Sequence, residues 1–162
     1  MTEQADGLPP AARRVQSALD DLGLGAHVVM VEDSARTAEE AAAAVGAELG
    51  QIVKSLVFSV DEELVLVLVS GANRLDTRKL ATLAHGRVER ADAEAVRVAT
   101  GFAIGGIPPI AHARPLAVWC DADLLTYDTV RAAAGTPHAV FPIAPDDLVR
   151  VTDATVADLR VG

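Results

Sequence analysis

The sequence has a single cysteine, Cys120, so no disulfide can close within the chain and a reducing compartment suits it. Aromatic side chains are scarce: Phe58, Phe102, Phe141, Trp119 and Tyr127 are the whole set. Stacking on exposed bases is therefore not expected to dominate a nucleic-acid contact. The longest apolar run, Leu64–Val69, falls far short of the roughly 20 residues that span a bilayer. The first residues, MTEQADGLPPAARR, lack the basic segment and apolar stretch of a secretory signal. Together these absences predict a soluble, cytoplasmic protein with no membrane partner.

Chemical signatures are missing as well. The four histidines, His27, His85, His112 and His138, form no H-E-x-x-H pattern, and no Cys-x-x-Cys pair exists. A metal site is not expected. There is no G-x-S-x-G elbow and no phosphate-binding G-x-x-x-x-G-K-[ST] loop. Cys120 lies in an apolar stretch, where free thiols are usually packed and inert. A thiol enzyme built on Cys120 stands as a rival reading.

What is present fits one compact domain: 162 residues, half of them apolar, with a formal charge of −9. That charge argues against a nucleic-acid partner, but its distribution softens the point. Residues 1–50 carry three basic and nine acidic side chains, residues 51–120 eight and seven, and residues 121–162 three and seven. An anion site belongs in the centre of the chain.

Residues 1–8 read as a loose tail, and residues 9–162 as the domain. Pro9 and Pro10 open a helix with Val15, Ala18, Leu19 and Leu22 on one face, stopped by Gly23 and Gly25. HVVMVE reads as a short strand. Thr37-Ala38-Glu39-Glu40 has the form of a capping box and starts an alanine-rich helix ending near Gly46. Ile52–Val60 and Leu64–Ser70 form a hairpin of buried strands across Asp61-Glu62-Glu63. Helices follow over Thr77–His85, stopped by Gly86, and from Asp92 to Thr100, stopped by Gly101. Pro115–Cys120 is a strand, and Thr129–Ala134 with His138–Ile143 forms a second hairpin. Pro145-Asp146-Asp147 opens a last helix, with acids at its N-terminus. Frequent hairpins without strict alternation predict an α+β domain with a curved, mixed, largely antiparallel, barrel-like sheet flanked by helices.

Two features stand out. Lys54 sits inside the apolar run QIVKSLVFSV, where a buried ammonium is costly unless paired. Alone, it reads as a lysine whose stem is buried and whose head reaches water. The loop GFAIGGIPPI is rich in glycine and proline. Such a loop brings backbone N–H groups close to an anion or carbonyl, or is simply a structural turn.

In order along the chain come Gln51-Ile52-Val53-Lys54-Ser55, Gly71-Ala72-Asn73-Arg74-Leu75-Asp76 with Lys79-Leu80-Ala81, Thr100-Gly101-Phe102 leading to Gly105-Gly106-Ile107-Pro108-Pro109, and Pro145-Asp146-Asp147-Leu148. This set, from Thr37 to Leu148, resembles the YbaK-type family, also known as the prolyl-tRNA-synthetase-associated or insertion-domain family. The resemblance implies a trans-editing aminoacyl-tRNA deacylase that needs no metal or cofactor. Its substrate would be mischarged tRNA, foremost tRNA for proline carrying alanine or cysteine, and an aminoacyl-tRNA synthetase would be a partner.

On this resemblance Lys54 is the key functional residue, beside the terminal phosphate or the oxygen where charge develops. Gly105 and Gly106 would hold the ester carbonyl, within a pocket-lining loop that runs to Pro108 and Pro109. Ile107 and Phe102 would form the excluding wall. Asn73 and Asp76 would orient the loop or the amino group, and His138 would meet the ribose or the amino acid. Pro108-Pro109-Ile110-Ala111 departs from the family's usual Pro-Phe-Gly or Pro-Leu-Gly, which bears on pocket size. The alternative is a non-catalytic binding module for a small molecule or the tRNA acceptor end.

Overall fold

The computed structural model describes residues 7–31 and 37–162. Its longest strand, β2 (Ile52–Val60), runs antiparallel to β3 (Glu63–Ser70) with Val53 opposite Ser70 and Val60 opposite Glu63. The hairpin turn is Asp61-Glu62, both with positive φ (49° and 74°). That is the two-residue turn whose twist matches the strands, here built without glycine. Asp61 offsets the strain by accepting the Arg87 N–H at 2.9 Å and donating its own N–H to the Arg87 carbonyl.

Around this hairpin lie β1 (Val29–Met30), β4 (Val88–Arg90), β5 (Ala117–Asp121), β6 (Val130–Ala133), β7 (Ala139–Ile143) and β8 (Thr155–Ala157). The order is β1-β7-β6-β2-β3-β5-β8, with β4 added on the free side of β2. Four of the strand pairings are antiparallel and three are parallel. The mixed, single-domain sheet expected from sequence is present. Its ends, β1 and β8, do not pair, so the barrel-like curvature stops short of closure.

The helices are α1 (Pro10–Asp21), α2 (Ala38–Val45), α3 (Thr77–Ala84), α4 (Ala93–Thr100) and α5 (Pro145–Thr152). One sheet face buries Leu66, Leu68, Cys120 and Phe141 against Ala12, Val15 and Leu19 of α1, Val96 of α4 and Leu148 of α5. The other buries Val65, Val67 and Val69 against Leu80 of α3 and Leu159. Strand β3 is thus covered on both sides, which is why its sequence is one unbroken apolar run. Each fully buried leucine contributes about 2 kcal/mol relative to exposure. A third cluster, Ala41, Ala42 and Ile52, seats α2 over the start of β2.

Several sequence expectations change. Leu8, assigned to the tail, is buried in the main core, while residues 1–6 lie outside the described ones. Of HVVMVE only Val29–Met30 is strand, and Glu32 lies outside the described residues. Helix α3 ends on His85, which itself takes the left-handed conformation (φ 56°). Gly86 serves a different purpose: a Cβ there would meet Val60 Cγ1 at 2.7 Å. Strands β4 and β8 have no counterpart in the sequence reading. Among the described residues no helix is long and apolar enough to cross a membrane.

Candidate functional site

Strand β6 leaves β2 after Val53, and β4 joins it only at Phe58. From Lys54 to Val57 that edge of β2 therefore has no strand partner among the described residues. The Gly71 N–H bonds the Ile52 carbonyl at 2.7 Å, which turns even-numbered amides of β2 toward β3. Strand alternation then directs the amides of Ser55 and Val57 into the notch. At this notch lies a hollow of ≈ 280 Å³, walled by β2, β6, α2 and the loop carrying Ile104, Gly105 and Ile107. Lys54 and Gly105 line it together.

The Lys54 side chain sits on the sheet face of Ile52 and Leu56, and its ammonium donates to the Asn73 carbonyl. Burial pulls the ammonium below the ordinary lysine range, against the opposing pull of Glu39 and Asp121. Asn73 is held in turn. Its Nδ2 donates to Asp121 Oδ2 and to Asp123 Oδ2, both at 2.8 Å. Asp121 is 1% exposed and also accepts the Ser70 N–H at 3.1 Å. A buried carboxylate at the end of β5 thereby fixes the loop whose carbonyl fixes Lys54. Gln51 secures the strand's start: its Nε2 donates to the Thr129 carbonyl at 2.9 Å, tying β2 to the approach of β6.

The other residues singled out from sequence divide sharply. Asn73 meets Lys54 through its backbone carbonyl and is not itself a lining residue. Ile107 is buried and forms part of the wall, and Gly105 has the positive φ (105°) that favours glycine. Gly106 is not an available donor: its N–H already bonds the Ala103 carbonyl at 3.3 Å, and its carbonyl accepts from Gly135. Phe102 is 2% exposed in the main core, with the Arg14 guanidinium over its ring, and is absent from the lining. Asp76 is the N-cap of α3, accepting from the N–H groups of Arg78 and Lys79. Pro108 and Pro109 are buried behind the loop, where the Pro108 carbonyl lies 2.7 Å from His112 Nε2. His138 sits between Pro137 and Ala139, which line the hollow, but is not itself a lining residue.

Polar or exposed lining residues absent from the sequence expectation include Ser55, Ile104, Arg131 and Thr136. Ser55 Oγ and Arg131 Nε are both buried without a hydrogen-bond partner among the described residues. The signal for Arg131 was the same as for Lys54, a cation inside an apolar strand. Cys120 is fully buried, and burial pushes its thiol up to about 12, which removes the thiolate a nucleophile needs.

Asp121→Asn tests the support of Lys54. The amide oxygen can still accept from Ser70 and Asn73, which share Oδ2, but its NH2 then faces the Asp123 N–H that Oδ1 accepts at 3.0 Å, so stability falls by about 1–3 kcal/mol. Losing the negative charge also removes a force that keeps Lys54 protonated, so the alkaline limb of any Lys54-dependent activity moves to lower pH. A pH profile of the variant beside thermal unfolding checks both.

Residues 32–151 match the family described as the aminoacyl-tRNA editing domain. A solved structure presented as a candidate trans-editing enzyme for prolyl tRNA synthetase superimposes with a TM-score of 0.92 at 54% identity, covering 96% of this chain and 100% of that one. An uncharacterized Bacillus subtilis protein, YwhH, is 29% identical over 122 residues, 75% of this chain and 78% of that protein. A proline–tRNA ligase of Desulfovibrio desulfuricans is 35% identical over 134 residues, 78% of this chain but 22% of the ligase. The chain thus spans about a fifth of that ligase's length.

Proposed function

The chain belongs to the aminoacyl-tRNA editing domain family, and from that premise we propose that it is a trans-editing deacylase. It hydrolyses the ester of tRNA for proline carrying a small wrong amino acid, alanine or cysteine, without a metal, in the cytoplasm. The observation that carries this reading is one hollow lined by both a half-buried lysine and a positive-φ glycine. Likeness, over that chain's whole length, to a structure presented as a candidate trans-editing enzyme supports action in trans.

The need for such a protein follows from energetics. A pocket shaped for proline rejects a smaller amino acid by only about 1–3 kcal/mol per missing methylene. A second site that hydrolyses what fits supplies the remaining selectivity. Ala41, Ala133 and Ala139 together with Ile107 give the hollow a small apolar lining suited to a short side chain.

The ester is already activated, so water, or the neighbouring ribose hydroxyl assisting it, suffices as nucleophile. The protein's work is positioning and charge stabilisation. Lys54 supplies a positive charge whose position is set by the Asn73 carbonyl. The Ser55 amide on the unpaired edge of β2, with the unpartnered Ser55 hydroxyl beside it, is a donor for the ester or the ribose. Incubating the protein with tRNA for proline charged with alanine, cysteine or proline, and following ester loss, is the test. Rapid loss of the alanyl or cysteinyl ester with the prolyl ester spared is expected. Binding without hydrolysis of any of them would make the protein a binding module.

A further inference from the structure

Arg131 faces the hollow from the other side of the notch. Its backbone neighbour across the β2–β6 pairing is Ile52, so the side chains of Arg131, Ile52 and Lys54 rise from one sheet face. Strand spacing puts the Cα atoms of Arg131 and Lys54 about 8 Å apart. Both cations line the same cavity, and none of the described residues lining it is acidic. Among the described residues Arg131 forms no ion pair, and its buried Nε has none of them to donate to.

In a chain of charge −9 this is a local inversion. Lys54 has the opposite charges of Glu39 and Asp121 acting on it, whereas the buried guanidinium donor of Arg131 is unpaired among the described residues, which is unfavourable. An anion entering the hollow offers the guanidinium an acceptor. A guanidinium offers paired donors that match phosphate oxygens. The alternatives within an aminoacylated nucleotide are poorer: its α-amino group is repelled by both cations, and its ester oxygen carries no full charge before attack.

We propose that Arg131 is a second cationic contact of the site and takes a phosphate oxygen of the tRNA 3′ end, so that Lys54 and Arg131 hold the acceptor end from two strands. This rests on reading the hollow as the place of that end. Arg131 is a binding and positioning residue: it acts on a group remote from the ester carbon.

The test compares binding of cytidylyl-adenosine, which carries one phosphodiester, with binding of adenosine, which carries none. The native protein is expected to prefer the dinucleotide, and Arg131→Gln to lose about tenfold of that preference, the worth of a charge-assisted hydrogen bond. In deacylation, KM of the variant rises by a similar factor with kcat little changed, and the salt dependence of kcat/KM flattens by about one charge. Arg131→Lys, which keeps the charge, restores part of the loss, and Arg131→Met provides the neutral comparison should the glutamine variant fold poorly. An undiminished preference for the dinucleotide in the neutral variant overturns the inference. So does a fall in kcat with KM unchanged, which would put the guanidinium at the reacting carbonyl. Dinucleotide preference that depends on Arg131, in a protein that cleaves no charged tRNA, would uphold this inference while overturning the deacylase reading.

Discussion

Lys54→Ala is expected to lower kcat/KM for deacylation by about 10²–10³-fold, the usual loss when a preorganised charge is removed from a developing oxyanion. The fold should survive. The side chain bonds only a loop carbonyl, and deleting an ammonium that burial already disfavours relieves a desolvation cost. Circular dichroism and thermal unfolding beside the native protein separate the two effects. Lys54→Met, which keeps the stem, should be as inactive as alanine. Native turnover in either folded variant would remove the lysine from the reaction.

The pH dependence carries a second signature of the same residue. Burial holds the Lys54 ammonium below the ordinary lysine range. The required charge is therefore lost as pH rises through that lowered value. After correction for spontaneous ester hydrolysis, kcat/KM should fall on the alkaline side earlier than a surface lysine would allow. Lys54→Arg keeps its charge throughout and should lack that limb, whatever it loses in rate. Stability moves the other way. Between the lowered folded value and the ordinary unfolded one, the unfolded chain holds more protons, so this group's contribution to stability rises with pH.

Gly106→Ala is expected to destabilise the fold. An added Cβ would lie 2.7 Å from Thr136 Cα and 2.8 Å from its N and C atoms. Those are backbone atoms and cannot swing aside. The two segments are also joined by the Gly135 N–H to Gly106 carbonyl bond at 2.9 Å. Forcing them apart should cost about 1–3 kcal/mol, a fall in Tm of about 3–10 °C. Activity should fall too, because Gly105 and Thr136, on either side of this contact, both line the hollow. An unchanged Tm and unchanged turnover would mean that the Thr136 turn yields without consequence.

The contrast between Gly105 and Gly106 shows what a sequence can and cannot say. Both stood out as glycines beside a proline pair. One takes a positive φ at the rim of the cavity, and the other makes room for a neighbouring backbone. No local pattern separates these uses, since the neighbour, Thr136, is remote in sequence. Asp121 was hidden for the same reason: its partners Ser70 and Asn73 lie about fifty positions away. Local chemistry was legible where it acts locally. Thr37 does cap α2, accepting the Glu40 N–H, and the β2–β3 hairpin follows from two apolar runs around an acidic turn. Lys54 was legible as an anomaly, a charge that the surrounding strand does not need. Arg131 carried the same mark in a strand too short to show a pattern. The three-residue strands β4 and β8 offered no periodicity at all.

A bare strand edge is ordinarily a hazard, a template on which a second chain can add itself and begin a fibre. The stretch of β2 from Lys54 to Val57 is bare, yet β6 closes it at one end and β4 at the other. An intruding strand long enough to hold on would collide with one of them. Only the main-chain groups of Ser55 and Val57 are left open there, too short a stretch for another polypeptide to build on, so the protein keeps an unpaired edge without courting aggregation.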